Sequence, residues 1–360
     1  MKKICFIDFD MSVRGGVEQV TTSLANALTD KYEVHVVSLC LKDKIAYELD
    51  KRVHFEVMLQ NELRLSEMRK YAKRFLRDYF KDNNISVAII QGNYPGFISS
   101  SVRFKTKTKL VFCDHGALMN QWHQKDIVVI RLITSLLCHK VITLTEQSMS
   151  DYRRRFKLRK KKLGCIYNWI DLSIPHSEKY DVESKRIISA GRFGKEKGFD
   201  MLVKAFAPVA KKHPDWHLDI YGDGEMMDTV IALISDLKLE QNVHLMGMRS
   251  DLNEQYGKYA MYVLPSYREG MPLVLLEAKA NRLPIVSFDI MTGPKEIVRN
   301  NVDGILVKPY DLDEMGNAMC SLIENDELRV LMSEKSQENL EKFSKETILG
   351  QWCDLIESLS

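Results

Sequence analysis

No stretch of this 360-residue chain comes near the ~18 uninterrupted apolar residues of a spanning helix, so no segment reads as one. Cysteines are present but unpatterned. The seven (Cys5, Cys40, Cys113, Cys138, Cys165, Cys320, Cys353) show no C-x-x-C spacing, which argues against a zinc ribbon or disulfide framework and suits a reducing cytoplasm. Low-complexity and Pro/Ser-rich tracts are missing too, and 45% hydrophobic with 28% charged residues describes an ordinary globular chain. The basic opening Met1-Lys2-Lys3 is not followed by a signal-peptide core, because Asp8 and Asp10 interrupt the apolar run; Ile4–Phe9 reads as a first strand.

Large net charge is also lacking, at +3, but that value conceals a split. Residues 1–170 hold 30 Lys and Arg against 17 Asp and Glu, whereas residues 171–360 hold 22 against 32. The excess gathers at Arg69-Lys70, Lys73-Arg74, Arg77, Arg103 to Lys109 and Arg153 to Lys162. Solvated helix faces explain it as readily as contact with an anionic membrane surface or anionic acceptor. Nucleic acid is not expected, since no aromatic-interleaved basic sheet or recognition-helix pattern accompanies the charge.

What the chain does have is alternation. Ile4–Phe9, Val34–Leu39, Ala88–Gln91, Leu110–Cys113 and Val141–Leu144 read as buried strands, and Glu18–Thr29, Leu63–Lys81 and Asp126–Leu137 as helices. A second series follows with strands at Arg186–Ala190, Trp216–Tyr221, Val243–Met246, Met261–Pro265, Ile285–Phe288 and Ile305–Val307. Its helices read as Phe199–Lys212, Glu225–Leu237, Leu252–Lys258, Pro272–Asn281 and Lys295–Asn300. Two α/β domains with covered parallel sheets are predicted. The boundary falls in Lys162–Asp181, around Ile174-Pro175-His176-Ser177, giving domains of 1–168 and 169–344. A last helix over 345–360 is expected to leave the second domain and pack back toward the first.

Doubly wound sheets carry ligands beyond the carboxyl ends of their strands, and the motifs sit there. Gly15-Gly16-Val17-Glu18 opens the first helix, where glycines allow close approach of backbone N–H groups to an anion. A tight strand-to-helix turn would need the same residues. Asp8-Phe9-Asp10 has the D-x-D spacing of a metal-dependent site, but a motif this short arises easily by chance. After Arg186–Ala190 comes Gly191-Arg192-Phe193-Gly194-Lys195-Glu196-Lys197-Gly198, whose Arg192 fork and Lys197 point charge could neutralise a diphosphate or could simply be solvated. After Met261–Pro265 comes Glu269-Gly270-Met271-Pro272-Leu273, with Glu277 further on. Pro272 suits the first turn of a helix, which would put Glu269 at the helix mouth beside free amides and Glu277 more than a turn inside.

These motifs in this order resemble the family 4 retaining glycosyltransferases, group 1, of the GT-B fold. The likeness spans most of residues 186–310 through Gly191-Arg192, Lys197-Gly198, Tyr221 to Glu225, Val243 to Gly247, Pro265-Ser266, Glu269 to Glu277 and Gly293 to Val307; Gly15-Gly16-Val17-Glu18 matches the N-terminal glycine loop. It implies two Rossmann-like doubly wound domains facing each other across a cleft, an acceptor-binding one and a nucleotide-sugar-binding one. It further implies that Arg192 and Lys197 bind the donor diphosphate, Glu277 the ribose, and Glu269 with the amides of Gly270, Met271, Pro272 and Leu273 the donor sugar. Gly15 and Gly16 would approach the diphosphate, Gly247 and Met248 with Arg249 the nucleobase, and His115 would lie beside the donor sugar.

The expected reaction is retaining transfer of a hexose or N-acetylhexosamine from a UDP-sugar to a glycan or lipid-linked sugar, in cell-surface polysaccharide or glycoconjugate synthesis. No cofactor or metal is expected, and the leaving phosphate would take the acceptor proton. Two alternatives on the same scaffold are a UDP-sugar epimerase and a non-catalytic nucleotide-sugar-binding protein. The basic first half suggests a cytoplasmic enzyme peripheral to the inner face of the cell membrane.

Overall fold

The computed structural model describes residues 1–171, 176–177, 179–249 and 251–359. Ile174 and Pro175, part of the expected domain boundary, lie outside them. The chain divides into two compact units, Met1–Asn168 with Glu346–Ser360, and Trp169–Lys345.

The first unit holds seven strands: β1 (Lys3–Asp10), β2 (Glu33–Cys40), β3 (His54–Val57), β4 (Val87–Gln91), β5 (Lys109–Asp114), β6 (Lys140–Thr143) and β7 (Leu163–Cys165). Its helices are α1 (Gly16–Leu28), α2 (Leu65–Asp82), α3 (Asn93–Ser99), α4 (Lys125–Leu137) and α5 (Glu146–Phe156). The strands pair in the order β3-β2-β1-β4-β5-β6-β7, all parallel. Because β1 to β2 and β2 to β3 step toward one edge and every crossover after β3 steps the other way, right-handed connections place α1 on one face and α2 to α5 on the other. Packing agrees. Met68, Ala72, Leu76 and Phe80 of α2, Ile98 of α3 and Tyr152 of α5 share one core cluster with Ile7, Val37, Ile90 and Phe112.

In the second unit β8 (Arg186–Ala190), β9 (His217–Tyr221), β10 (Val243–Gly247), β11 (Met261–Leu264), β12 (Ile285–Phe288) and β13 (Gly304–Val307) form a parallel sheet of order β10-β9-β8-β11-β12-β13. Its helices are α6 (Phe199–Lys212), α7 (Met227–Asp236), α8 (Leu252–Gln255), α9 (Leu273–Ala280), α10 (Pro294–Ile297), α11 (Leu312–Ile323) and α12 (Asp326–Ser336). In both sheets the strand order reverses beside the first strand of the unit, the crevice position for ligands in open α/β sheets. α13 (Lys345–Ser358) ends the chain on the first unit, where Glu357 takes Lys2 and the Tyr32 hydroxyl, the latter at 3.0 Å.

Sequence periodicity misses β3, β7, α3, α5, α11 and α12. β3 alternates exposed and half-buried residues, so its hydrophobic signal is thin. α5 is missed because Arg153, Arg154 and Arg155 mask its apolar pattern, yet Thr145 caps its start and Tyr152 is fully buried. Pro272 also differs from expectation. It is the residue before α9, with φ −76° and ψ 106°, and the helix starts at Leu273 because Pro272 is still extended. Among the described residues no helix is long and apolar enough to cross a membrane.

Candidate active site

In the second unit two loops meet beyond β8 and β11, and glycine makes the meeting possible. Gly198 precedes α6 with φ +67°, and a Cβ there would lie 2.4 Å from the Pro265 carbonyl oxygen. The adjoining Lys197 therefore reaches the loop after β11. Its Nζ lies 2.7 Å from Glu269 Oε1, and Ser266 Oγ donates to the same oxygen at 2.7 Å. The Glu269 carbonyl takes the Thr292 hydroxyl at 2.7 Å, tying the loop to the turn before α10. A cation and a carboxylate thus share one loop mouth at the amino end of α9, where the first amides of the helix lack intrahelical partners.

Arg192 is placed differently from Lys197. It is 70% exposed and its Nη2 donates to Glu196 Oε1 at 2.9 Å, so the structure does not bring it onto Glu269. Gly222 closes the same crest: a Cβ on it would collide with the Gly191 carbonyl, and its N–H donates to Gly247 O at 2.9 Å. Gly247 ends β10 with φ +69° and open space where a Cβ would project, and Met248 beyond it is exposed. Arg249 is turned onto Asp251 through two contacts of 2.7 and 2.6 Å.

Glu277 lies on α9, half-buried, and accepts from the Tyr256 hydroxyl at 2.8 Å. Burial raises its pKa and the Tyr256 hydrogen bond opposes the rise. α9 itself is fixed from behind. Lys279, 1% exposed, meets Asp303 at 2.5 Å, and Asp303 also takes Arg299 Nε at 2.7 Å.

In the first unit Gly15 precedes α1 and the Glu18 side chain folds back over it, where a Gly15 Cβ would lie 2.4 Å from Glu18 Oε2. Gly16 has nothing within 4 Å of the position of a Cβ, so packing does not require glycine there. The Asp8 and Asp10 carboxylates bond to the chain itself: Asp8 takes Thr21 Oγ1 at 2.6 Å and the Phe9 amide at 2.7 Å, and Asp10 takes Ser12 N and Oγ. Among the described residues the groups of three side chains that could share an ion do not include this pair. Burial pushes Asp8 up to about 6, and burial with the Asp8 charge pushes Glu18 up to about 7.

His115 follows β5. Its Nε2 lies 2.7 Å from Gln91 Oε1 at the end of β4, and burial pulls its pKa to about 4 against the Asp114 charge, leaving a neutral ring at pH 7. Beneath it Asp114 is wholly buried, held by Arg131 Nη2 at 3.1 Å and the Tyr152 hydroxyl at 2.8 Å. Gln91, Tyr256 and Thr292 escaped the sequence reading. Gln91 carries a weak signal, a polar residue ending an otherwise apolar strand; Tyr256 and Thr292 carry none, because their partners are remote in sequence.

Comparison with known proteins agrees with this architecture. The sequence profile described as Glycosyl transferases group 1 matches residues 173–339, and that of Glycosyltransferase Family 4 matches residues 14–174. A glycosyltransferase of unassigned specificity from Haemophilus influenzae is 30% identical over 359 residues, covering 99% of this chain and 100% of that one. The N-acetylgalactosamine-N,N'-diacetylbacillosaminyl-diphospho-undecaprenol 4-alpha-N-acetylgalactosaminyltransferase of Campylobacter jejuni is 28% identical, covering 92% of this chain and 93% of its own. The crystal structure of Anabaena HepE in complex with UDP and glucose superposes with TM-score 0.85 at 19% identity, over 99% of this chain and 100% of that one. With two parallel-sheet Rossmann-like units and a full-length relative, the chain belongs to the group 1, family 4 glycosyltransferases of the GT-B type.

Proposed function

We propose that the chain transfers a hexose or N-acetylhexosamine from a UDP-sugar to a glycan or lipid-linked sugar acceptor with retention of anomeric configuration and without a metal. The observation that carries this is the Lys197–Glu269 contact of 2.7 Å at the amino end of α9. Breaking a glycosyl–phosphate bond builds negative charge on the leaving diphosphate. Lys197 and the α9 amides stabilise that charge, while Glu269 accepts hydrogen bonds from sugar hydroxyls. Arg192, exposed and bound within its own loop by Glu196, swings to the diphosphate when donor arrives. Glu277 takes the ribose, and the open backbone at Gly247 and Met248 lies along the base. In the first unit Gly15 and Gly16 offer amides at the start of α1 to an anionic group. The neutral His115 serves as a hydrogen-bonding group to the sugar, and the leaving phosphate takes the acceptor proton. The Campylobacter relative's name, with its undecaprenyl diphosphate sugar, supports a lipid-linked acceptor here, and HepE with UDP supports the nucleotide.

The first unit supports a place at an anionic membrane. On α2 the residues opposite its buried stripe are Lys70, Lys73, Arg74, Arg77 and Lys81, and the neighbouring loop carries Arg103, Lys105 and Lys107 around Phe104, which is 80% exposed. With right-handed crossovers after β3, α2 and α5, which carry two of the basic runs, lie on one face of the sheet.

Incubation with radiolabelled UDP- and GDP-sugars, a lipid-linked acceptor and excess EDTA tests the reading, with the product anomer assigned by NMR. Expected is a retained linkage from a UDP-sugar in EDTA. An inverted product, an epimerised free donor or loss of turnover in EDTA each replaces the corresponding part.

A further inference from the structure

At the opposite end of the first sheet, away from the carboxyl ends of its strands, three ligand-type side chains converge where no part of the proposed reaction uses them. Glu33 is the first residue of β2, His35 follows two residues on along the same face, and His54 opens β3 in register with His35. His35 Nε2 lies 3.4 Å and His54 Nε2 3.8 Å from the same oxygen, Glu33 Oε1, and the three ligand atoms all lie within 4.8 Å of one another. The His35 contact is at most a long hydrogen bond and the His54 contact lies beyond one, since N–H···O bonds fall at roughly 2.7–3.2 Å. As ligand-to-ligand edges they are close to right: a tetrahedral zinc with bonds of ~2.0–2.1 Å sets its donors about 3.3 Å apart. His54 is 59% exposed and free to swing the remaining few tenths of an ångström, while His35 is 3% exposed and fixed. His35 also has an outer partner. Its Nδ1 lies 2.9 Å from the Tyr79 hydroxyl on α2, and with Nδ1–H donating to that oxygen the Nε2 lone pair faces the cluster, as outer-shell groups arrange at metal sites.

We propose that Glu33, His35 and His54 form a zinc-class site, two imidazoles and one carboxylate with a water completing the tetrahedron, which clamps the edge strand β3 to β2. One feature opposes the ion: Lys3 Nζ sits 2.7 Å from Glu33 Oε1. That is the oxygen the two imidazoles approach, so an ion binds through it by displacing Lys3, whose charge weakens binding. The site lies far along the strands from the Gly15–Gly16 loop and His115, so it is structural and does not conflict with transfer in EDTA. A second cluster, His213, Cys320 and Glu324, lies in the other unit, where Lys212 Nζ already sits 2.5 Å from Glu324 Oε1.

The full chain is stripped with EDTA, desalted and titrated with Zn2+ by calorimetry and with Co2+ by visible absorption, alongside melting curves. Expected are a site with tetrahedral Co2+ bands and a melting temperature raised by Zn2+, since binding only to the folded state stabilises it. Both are lost in His54→Ala and kept in His213→Ala. Tyr79→Phe weakens the site about ten-fold or more through its outer shell, and Lys3→Met tightens it. The proposal is overturned by a chain that binds no Zn2+, by binding that survives His54→Ala, or by binding that disappears in His213→Ala. His54 is exposed, so its replacement leaves the fold intact and each outcome can be read.

Discussion

Glu269 offers one oxygen to two donors at once, Lys197 Nζ and Ser266 Oγ, each at 2.7 Å. Removing Lys197 leaves the carboxylate still held by Ser266 but, under the proposed reaction, takes the cation from the leaving diphosphate. Lys197→Ala is expected to keep its melting temperature and lose turnover about a hundred-fold or more; steady-state rates near wild type would remove Lys197 from the reaction. Gly16 separates folding from function more sharply. With nothing near its Cβ position and helical geometry at the start of α1, Gly16→Ala should hold or raise stability by roughly 0.5–1 kcal/mol. Donor binding, measured by calorimetry with UDP-sugar, should nonetheless fall if the methyl stands where the proposed reaction brings the diphosphate. Unchanged affinity would reduce Gly16 to a turn residue.

At the scale of elements, the junction of β1 with α1 gathers carboxyl groups whose folded pKa values stand above their unfolded ones, Asp8 at about 6 and Glu18 at about 7. Such groups bind protons on folding. Their contribution is fully present below the unfolded values and is lost as pH rises through 6 and 7. Glu18→Gln should therefore be more stable than wild type at pH 8 by about 1–2 kcal/mol, after allowing for its partial exposure, and gain less at pH 5. His115, pulled to about 4, acts in the other sense: its contribution is lost as pH falls from its unfolded value toward 4. Thermal melts of both proteins at the two pH values check the Glu18 effect; an equal difference at both would refute it. In the second unit, α9 is anchored by Lys279 and Asp303, both essentially unexposed. Asp303→Ala strands a buried ammonium and should cost about 3–5 kcal/mol in chemical unfolding. Because α9 carries Glu277, donor affinity should fall with it.

For the whole molecule the charge split acquires a geometry. α2 and α5, with the arginines Arg153 to Arg155, belong to one helical layer of the first unit, because every crossover after β3 steps the same way and such crossovers are right-handed. Co-sedimentation with vesicles should rise with the anionic lipid fraction, by ~1 kcal/mol per engaged basic residue. Phe104→Ser combined with Lys105→Glu should weaken it, while binding indifferent to lipid charge would argue that the layer is merely solvated.

Two alternating series of strands and helices, two α/β units and the family itself are legible in the sequence, since β8, β12 and α6 are bounded by the residues their patterns imply and buried parallel strands read as apolar runs. The pattern fails where an element's signal is not its own. α5 is hidden by arginines, β3 is half exposed, and Pro272 fits the inside of a helix yet stands just before it. The site motifs were visible as spacings, but their partners were not. That Lys197 reaches Glu269 while Arg192 turns to Glu196 depends on Gly198 packing against the Pro265 carbonyl, 67 residues away in sequence. Tyr256 on Glu277, Gln91 on His115 and the Glu33–His35–His54 cluster arise in the same way. Local periodicity encodes which face of each element is buried, whereas hydrogen-bond partners between strand ends are chosen by sheet order and register, which exist only once the chain has folded.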